Sequence, residues 1–183
     1  MTNSPLGWPR RWPTWKAECL SHPSNYVNNL SQGGGPIVAE QATERMVVSA
    51  TPARCFEVSS DIAAYPQWAA DIKEVTIEAR DDQGRAELVT FRAAAFGRST
   101  SYTLAYDYSE APEVLAWVQT RGDITSKLDG RYVFAPRGDG TEVTYHLEVE
   151  MKVPLPGFIK MRAQSRIMSI ALRELKARVE SIP

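Results

Sequence analysis

Two hydrophobic periods divide the chain. Between Thr141 and Val153 apolar and polar residues alternate, with Val143, Tyr145, Leu147, Val149 and Met151 on one side and Glu142, Thr144, His146, Glu148 and Glu150 on the other. That period of two predicts a β-strand with one buried and one solvated face. From Pro156 to Ile182 the spacing becomes three-four. Phe158, Met161, Ser165, Met168, Leu172, Leu175, Val179 and Ile182 fall in one helical stripe, apolar except for Ser165, and Lys160, Arg162, Arg166, Arg173, Lys176 and Arg178 lie opposite. Such a helix runs roughly 39 Å at about 1.5 Å per residue, and its stability rests on burying the stripe. The preceding residues must therefore supply a concave apolar surface.

They do so as a series of short strands. Strands are predicted over Thr43 to Ala50, Ile72 to Arg80, Ala86 to Ala94, Arg98 to Tyr108, Glu113 to Arg121, Ser126 to Pro136 and Thr141 to Val153. The joints Asp81-Asp82-Gln83-Gly84, Phe96-Gly97, Glu110-Ala111-Pro112 and Arg137-Gly138-Asp139-Gly140 are turn chemistry. Connections this short make neighbouring strands antiparallel, so a meander is expected. Leu128, Gly130, Tyr132 and Phe134 belong to its inner side. Two small helices are predicted after the first strand. Thr51 caps the first, Pro52 to Ser60, with Pro52 in its opening turn and Phe56 turned inward. The second starts at Asp61, which is expected to cap it, is broken by Pro66, and brings Trp68 to plug one end of the sheet. The fold class is α+β: a curved antiparallel sheet of about seven strands gripping a long C-terminal helix. A curved sheet and a helix leave space between them, so a cavity is expected.

Residues 1–37 share neither period. Trp8, Trp12 and Trp15 are mixed with Pro5, Pro9, Pro13, Pro23 and the run Gly33-Gly34-Gly35. The composition predicts either a disordered extension or non-native sequence, with the true start at Val38, a codon that can be GTG. The domain is then residues 38–183. Over the whole chain, 43% apolar and 23% charged residues with a net charge of −1 describe an ordinary globular protein and give no reason to expect nucleic acid. No run approaches the roughly eighteen apolar residues of a membrane span, and no signal-peptide core precedes Val38, so a cytoplasmic protein is expected. Cys19 and Cys55 fall in separate regions and His22 and His146 are isolated. Neither a disulfide, a metal site nor a cofactor is expected.

Three stretches carry a family resemblance. They are Asp61-x-x-x-Tyr65-Pro66-x-Trp68, then Gly122-Asp123 with Asp129-Gly130-x-Tyr132-x-Phe134-x-Pro136, then Gly138-x-Gly140-Thr141-x-Val143-Thr144-Tyr145 leading to Pro154-x-Pro156-Gly157-Phe158. In this order, from Glu40 to the C-terminus, the chain resembles the helix-grip fold of the START-like (SRPBCC) superfamily, in particular its polyketide cyclase/dehydrase and coenzyme-Q-binding branch. The resemblance implies a deep apolar cavity for lipids, quinones, polyketides or similar molecules. It covers both enzymes and carriers.

Inward parity nominates the cavity wall: Val89, Phe91, Tyr102, Leu104, Tyr106, Leu115, Trp117, Gln119, Tyr132, Phe134, Tyr145 and Leu147 from strands, and Met161, Ser165 and Met168 from the helix. Gln119 and Ser165 interrupt apolar stripes, so the two are either polar anchors for a ligand head group, exposed at a strand edge, or bonded to each other in the core. Tyr102, Tyr106 and Tyr145 are candidate acids, but the inner strand faces offer no His, Asp or Glu as base, and Arg92, Asp107 and His146 fall outside. No catalytic residue is therefore nominated. The preferred expectation is a non-catalytic carrier, monomeric or a weak homodimer. The alternatives are a polyketide aromatase/cyclase or dehydratase, and an interaction module with a filled core. Leu155 and Phe158 beside Lys160 form an apolar turn with basic neighbours, which suggests peripheral membrane contact.

Overall fold

The computed structural model describes residues 42–95, 98–153 and 156–182. The expected boundary at residue 37, the start at Val38, Cys19, the Phe96-Gly97 turn and Leu155 lie outside them. Seven strands, β1 (Ala42–Val48), β2 (Ile72–Arg80), β3 (Ala86–Ala95), β4 (Arg98–Asp107), β5 (Val114–Gly122), β6 (Thr125–Arg137) and β7 (Gly140–Met151), pair antiparallel in the order β1-β7-β6-β5-β4-β3-β2. The meander is as the short joints require. The first strand instead closes on the last, which brings the residues preceding the small helices beside those preceding the long one.

Helix α1 (Pro52–Ser60) starts as its sequence dictates, with Thr51 Oγ1 accepting from Arg54 N at 3.3 Å and Pro52 in the first turn. Phe56 meets the ring of Phe134 edge-on at 6.1 Å. A 3-10 turn, Ile62–Ala64, leads into α2 (Tyr65–Trp68). Two details differ from expectation. Asp61 makes no side-chain cap, and Pro66 sits inside the first turn of α2, where its missing N–H has no partner to lose.

Helix α3 (Gly157–Ser181) lies along the concave side and rests on β1 and β7. Met168, Leu172, Leu175 and Val179 are buried as the stripe predicts, but Phe158 is 64% exposed, Met161 is 51% exposed and Ser165 is on the surface. The exposure of Met161 is not a matter of direction: at 3.6 residues per turn it lies about five whole turns before Val179 and points the same way, so the start of α3 is uncovered along the stripe itself, while Gln164 is buried.

On the outer face His146 stands opposite Thr43, whose Oγ1 lies 2.9 Å from Nδ1. Burial first, and then the charges of Arg131 and Arg45, push its pKa down to about 4. The unfolded chain binds a proton on His146 below its ordinary range and the folded chain does so only near 4. This residue therefore contributes no penalty above about pH 6.5, and stability falls as pH drops from there towards 4, by up to about 2 kcal/mol once its partial exposure is allowed for. His146→Gln should flatten that part of the denaturation-midpoint profile. A slope identical to that of the unmodified protein between pH 6.5 and 4 would refute the assignment.

Candidate ligand cavity

Because α3 rests on β1 and β7, and α1 meets only part of β5, β6 and β7, the inner faces of the central strands are not packed against a helix along their whole length. A cavity of ≈ 220 Å³ remains there. Its floor is the inner face of β3 to β7: Phe91, Tyr102, Leu104, Tyr106, Trp117, Tyr132 and Tyr145. Tyr65, Trp68, Ala69, Asp71 and Ile72 close it from the α2–β2 side, and Ile124, Thr125, Leu128, Val149 and Met151 from the other. The helix contributes Lys160, Ala163, Ile167, Ile170, Ala171 and Glu174.

The floor is built from interlocking rings. Trp117 packs against Tyr106, Tyr132 and Tyr145 with centroids 6.0, 5.4 and 5.8 Å away, Tyr132 against Tyr145 at 4.5 Å, and Phe91 stacks on Tyr102 at 5.4 Å. Such rings bring large apolar area while leaving polar tips to be placed. Burial pushes the hydroxyls of Tyr65, Tyr106, Tyr132 and Tyr145 upward, and Tyr102 is raised by burial and then by the nearby carboxylate of Asp71. All five therefore remain neutral O–H groups at physiological pH. Tyr65 donates to the Ser59 carbonyl at 2.6 Å and Tyr132 donates to Tyr145. No described residue hydrogen-bonds the hydroxyls of Tyr102 or Tyr106. The buried Trp68 Nε1 also lacks a hydrogen-bond partner among the described residues.

The nominated residues divide three ways. Phe91, Tyr102, Leu104, Tyr106, Trp117, Tyr132 and Tyr145 are brought together on the cavity wall. Val89, Leu115, Phe134, Leu147 and Met168 are buried in the core but do not reach the cavity. Gln119, Met161 and Ser165 are elsewhere. The Gln119 amide donates to the Thr125 carbonyl at 3.0 Å and accepts from the Thr125 hydroxyl at 2.6 Å, and the Ser165 hydroxyl donates to Glu44 at 2.8 Å across to β1. The two do not bond each other: Gln119 is half-buried and held by Thr125, and Ser165 is exposed.

Carboxylates enter the cavity from elements outside the strand faces. Asp71 precedes β2, and Glu174 lies on α3, where its Oε2 accepts from Ala70 N at 3.2 Å. The signal for the helix residues was a second line beside the first stripe: Lys160, Ile167, Ala171 and Glu174 each stand one position before one of its members, with Ala163 and Ile170 alongside. Asp123 holds the far end together. Its carboxylate accepts from the Thr100 hydroxyl, from Ser101 N at 2.8 Å and from Ile124 N at 2.6 Å, bonds that keep it below the usual carboxylate range and tie β4 to the β5–β6 turn.

The same architecture occurs in solved structures. A START superfamily protein from Mycobacterium smegmatis shares 28% identity with a TM-score of 0.74, over 78% of this chain and 99% of that one. TTHA0849 from Thermus thermophilus shares 19% at a TM-score of 0.66, over 78% and 98%. The Zhui aromatase/cyclase from Streptomyces sp. R1128 shares 14% at a TM-score of 0.68, over 77% and 93%, a likeness of fold. No curated protein matches the chain. The family described as polyketide cyclase / dehydrase and lipid transport matches residues 39–180, and this chain, with its START-like ligand-binding fold, belongs to that family.

Proposed function

We propose that the protein binds a hydrophobic small molecule in this cavity and carries or presents it, rather than transforming it. The observation that supports the reading is an apolar, ring-lined space in which the hydroxyls of Tyr102 and Tyr106 are left unbonded by the described protein groups. A neutral hydroxyl facing an apolar space needs a partner that the protein does not supply. A ligand with acceptor oxygens meets that need, which favours an isoprenoid quinone, a fatty acid or a polyketide-like ketone. The cavity of ≈ 220 Å³ is smaller than the roughly 300–1,000 Å³ of common ligand pockets, so it suits a ring or short chain segment with any tail extending along α3. A void of this kind weighs against the filled-core interaction module.

Organic extraction and native mass spectrometry of protein purified from its own host test the reading directly. A co-purifying quinone, fatty acid or ketone supports it. Tyr102→Phe and Tyr106→Phe should each weaken binding of decyl-ubiquinone or a fluorescent fatty acid by about two- to tenfold, the worth of one neutral hydrogen bond. Failure to extract any ligand, with no binding of either probe, would sink it.

A second reading, polyketide cyclase, is supported by Asp71 and Glu174, which put carboxylates on a wall that also carries Tyr102 and Tyr132. Enolisation needs a base and a donor for the enolate oxygen. Turnover of a poly-β-keto chain that is lost in Glu174→Gln or Asp71→Asn while the probes still bind would favour it.

A further inference from the structure

The start of α3 exposes apolar side chains that the fold does not use. Phe158 is 64% exposed and Met161 51%, and Ile159 and Ile167 are also exposed. At 3.6 residues per turn, Phe158, Ile159, Arg162, Arg166 and Arg173 share one side of the helix, and all five are exposed. Ile167, which lines the cavity, lies half a turn round the helix from Phe158, so this exposed side faces away from the cavity wall. Charge follows the same division. From Met151 to Arg173 the chain carries Lys152, Lys160, Arg162, Arg166 and Arg173 and no Asp or Glu, although its net charge is −1. Two acidic groups that meet this helix are engaged elsewhere, Glu44 with Ser165 on the β1 side and Glu174 with Ala70 N.

From these observations we infer that the first turns of α3 dock on an anionic lipid bilayer, with Phe158 and Ile159 entering the headgroup layer and Arg162 and Arg166 meeting lipid phosphates and carboxylates. Exposed large apolar residues in one patch are costly in water and require a cover. Basic residues on the same side select a negative, acyl-containing surface over a neutral one. The long Arg and Lys stems lie along the interface while their heads stay hydrated, so no charge has to be buried. The docking surface is independent of which molecule the cavity holds.

Co-sedimentation of the full chain with phosphatidylcholine vesicles, with and without phosphatidylserine, tests this. Binding is expected to the phosphatidylserine vesicles, weak or absent on phosphatidylcholine alone, and reduced by salt, because surface charge is screened within about 10 Å at 0.1 M. Each basic residue near such a surface is worth roughly a fivefold change in partitioning, so the double change Arg162→Gln, Arg166→Gln should cost about twentyfold. Phe158→Ser, at an exposed position, should cost tenfold or more, roughly what losing one inserted ring implies, without changing the denaturation midpoint. Arg137→Gln, at the distant β6–β7 turn, should leave binding unchanged. Two results would overturn the inference: no sedimentation with phosphatidylserine vesicles, or binding that neither the arginine pair nor Phe158→Ser alters. A concentration-dependent dimer abolished by Phe158→Ser, without vesicle binding, would assign the patch to a second copy of the chain instead.

Discussion

Gly130→Ala should lower the unfolding free energy by about 2–4 kcal/mol, one of the largest losses available from a single methyl group in this fold. Gly130 pairs with Trp117 on one side and with Leu147 on the other, in the middle of the sheet. A Cβ there would stand 2.7 Å from Trp117 Cζ2 and 2.8 Å from the His146 carbonyl oxygen. The indole lies across the glycine, and that position lets it reach the rings of Tyr132 and Tyr145. Moving Trp117 therefore loosens the cavity floor, while moving the carbonyl spreads β6 from β7. The cost combines overpacking with lost ring contacts. Gly157→Ala is the control, because a Cβ there meets nothing within 4 Å, and it should be neutral or slightly stabilising. Equal chemical-denaturation midpoints for the two variants would show that Trp117 repacks freely.

Most of the fold could be read from the chain because its sheet is one-sided. Alternation along β6 and β7 placed Tyr132 and Tyr145 on the inner face without any knowledge of their partners, and the short turns determined the pairing. The long helix was harder to read. A stripe of three-four spacing says which way a side chain points and not whether anything lies opposite it: Met161 points the same way as Val179, about five turns on, yet is exposed. Met161 and Ser165 were misjudged for that reason, and Ala163, Ile167, Ala171 and Glu174 were hidden because small, apolar and charged residues together do not look like a face. Gln119 shows a different limit. Its parity was informative, but parity cannot say whether a buried amide meets a ligand or, as here, Thr125. Asp71 lay beyond any period because it belongs to the joint before β2.

Ala171→Phe should abolish ligand binding while leaving the protein as stable or more so. Ala171 lies on the helix side of the cavity, half-buried and packed against the core, so a phenyl ring there points into the ≈ 220 Å³ space instead of into filled structure. Filling an apolar void commonly stabilises by about 0.5–2 kcal/mol. The same ring occupies the volume a ligand needs, and affinity for decyl-ubiquinone or a fluorescent fatty acid should fall at least a hundredfold, about 2.7 kcal/mol. The neighbouring position behaves in the opposite way. Leu172 is 1% exposed and faces β1 and β7, so Leu172→Ala removes core contacts and should cost about 2–5 kcal/mol while leaving the cavity wall in place. Two adjacent helix residues thus separate what holds the fold from what the fold holds. Ala171→Phe that still binds the probes at unchanged affinity would place their site outside this cavity, and Ala171→Phe that unfolds would show the space to be smaller in solution than the ring requires.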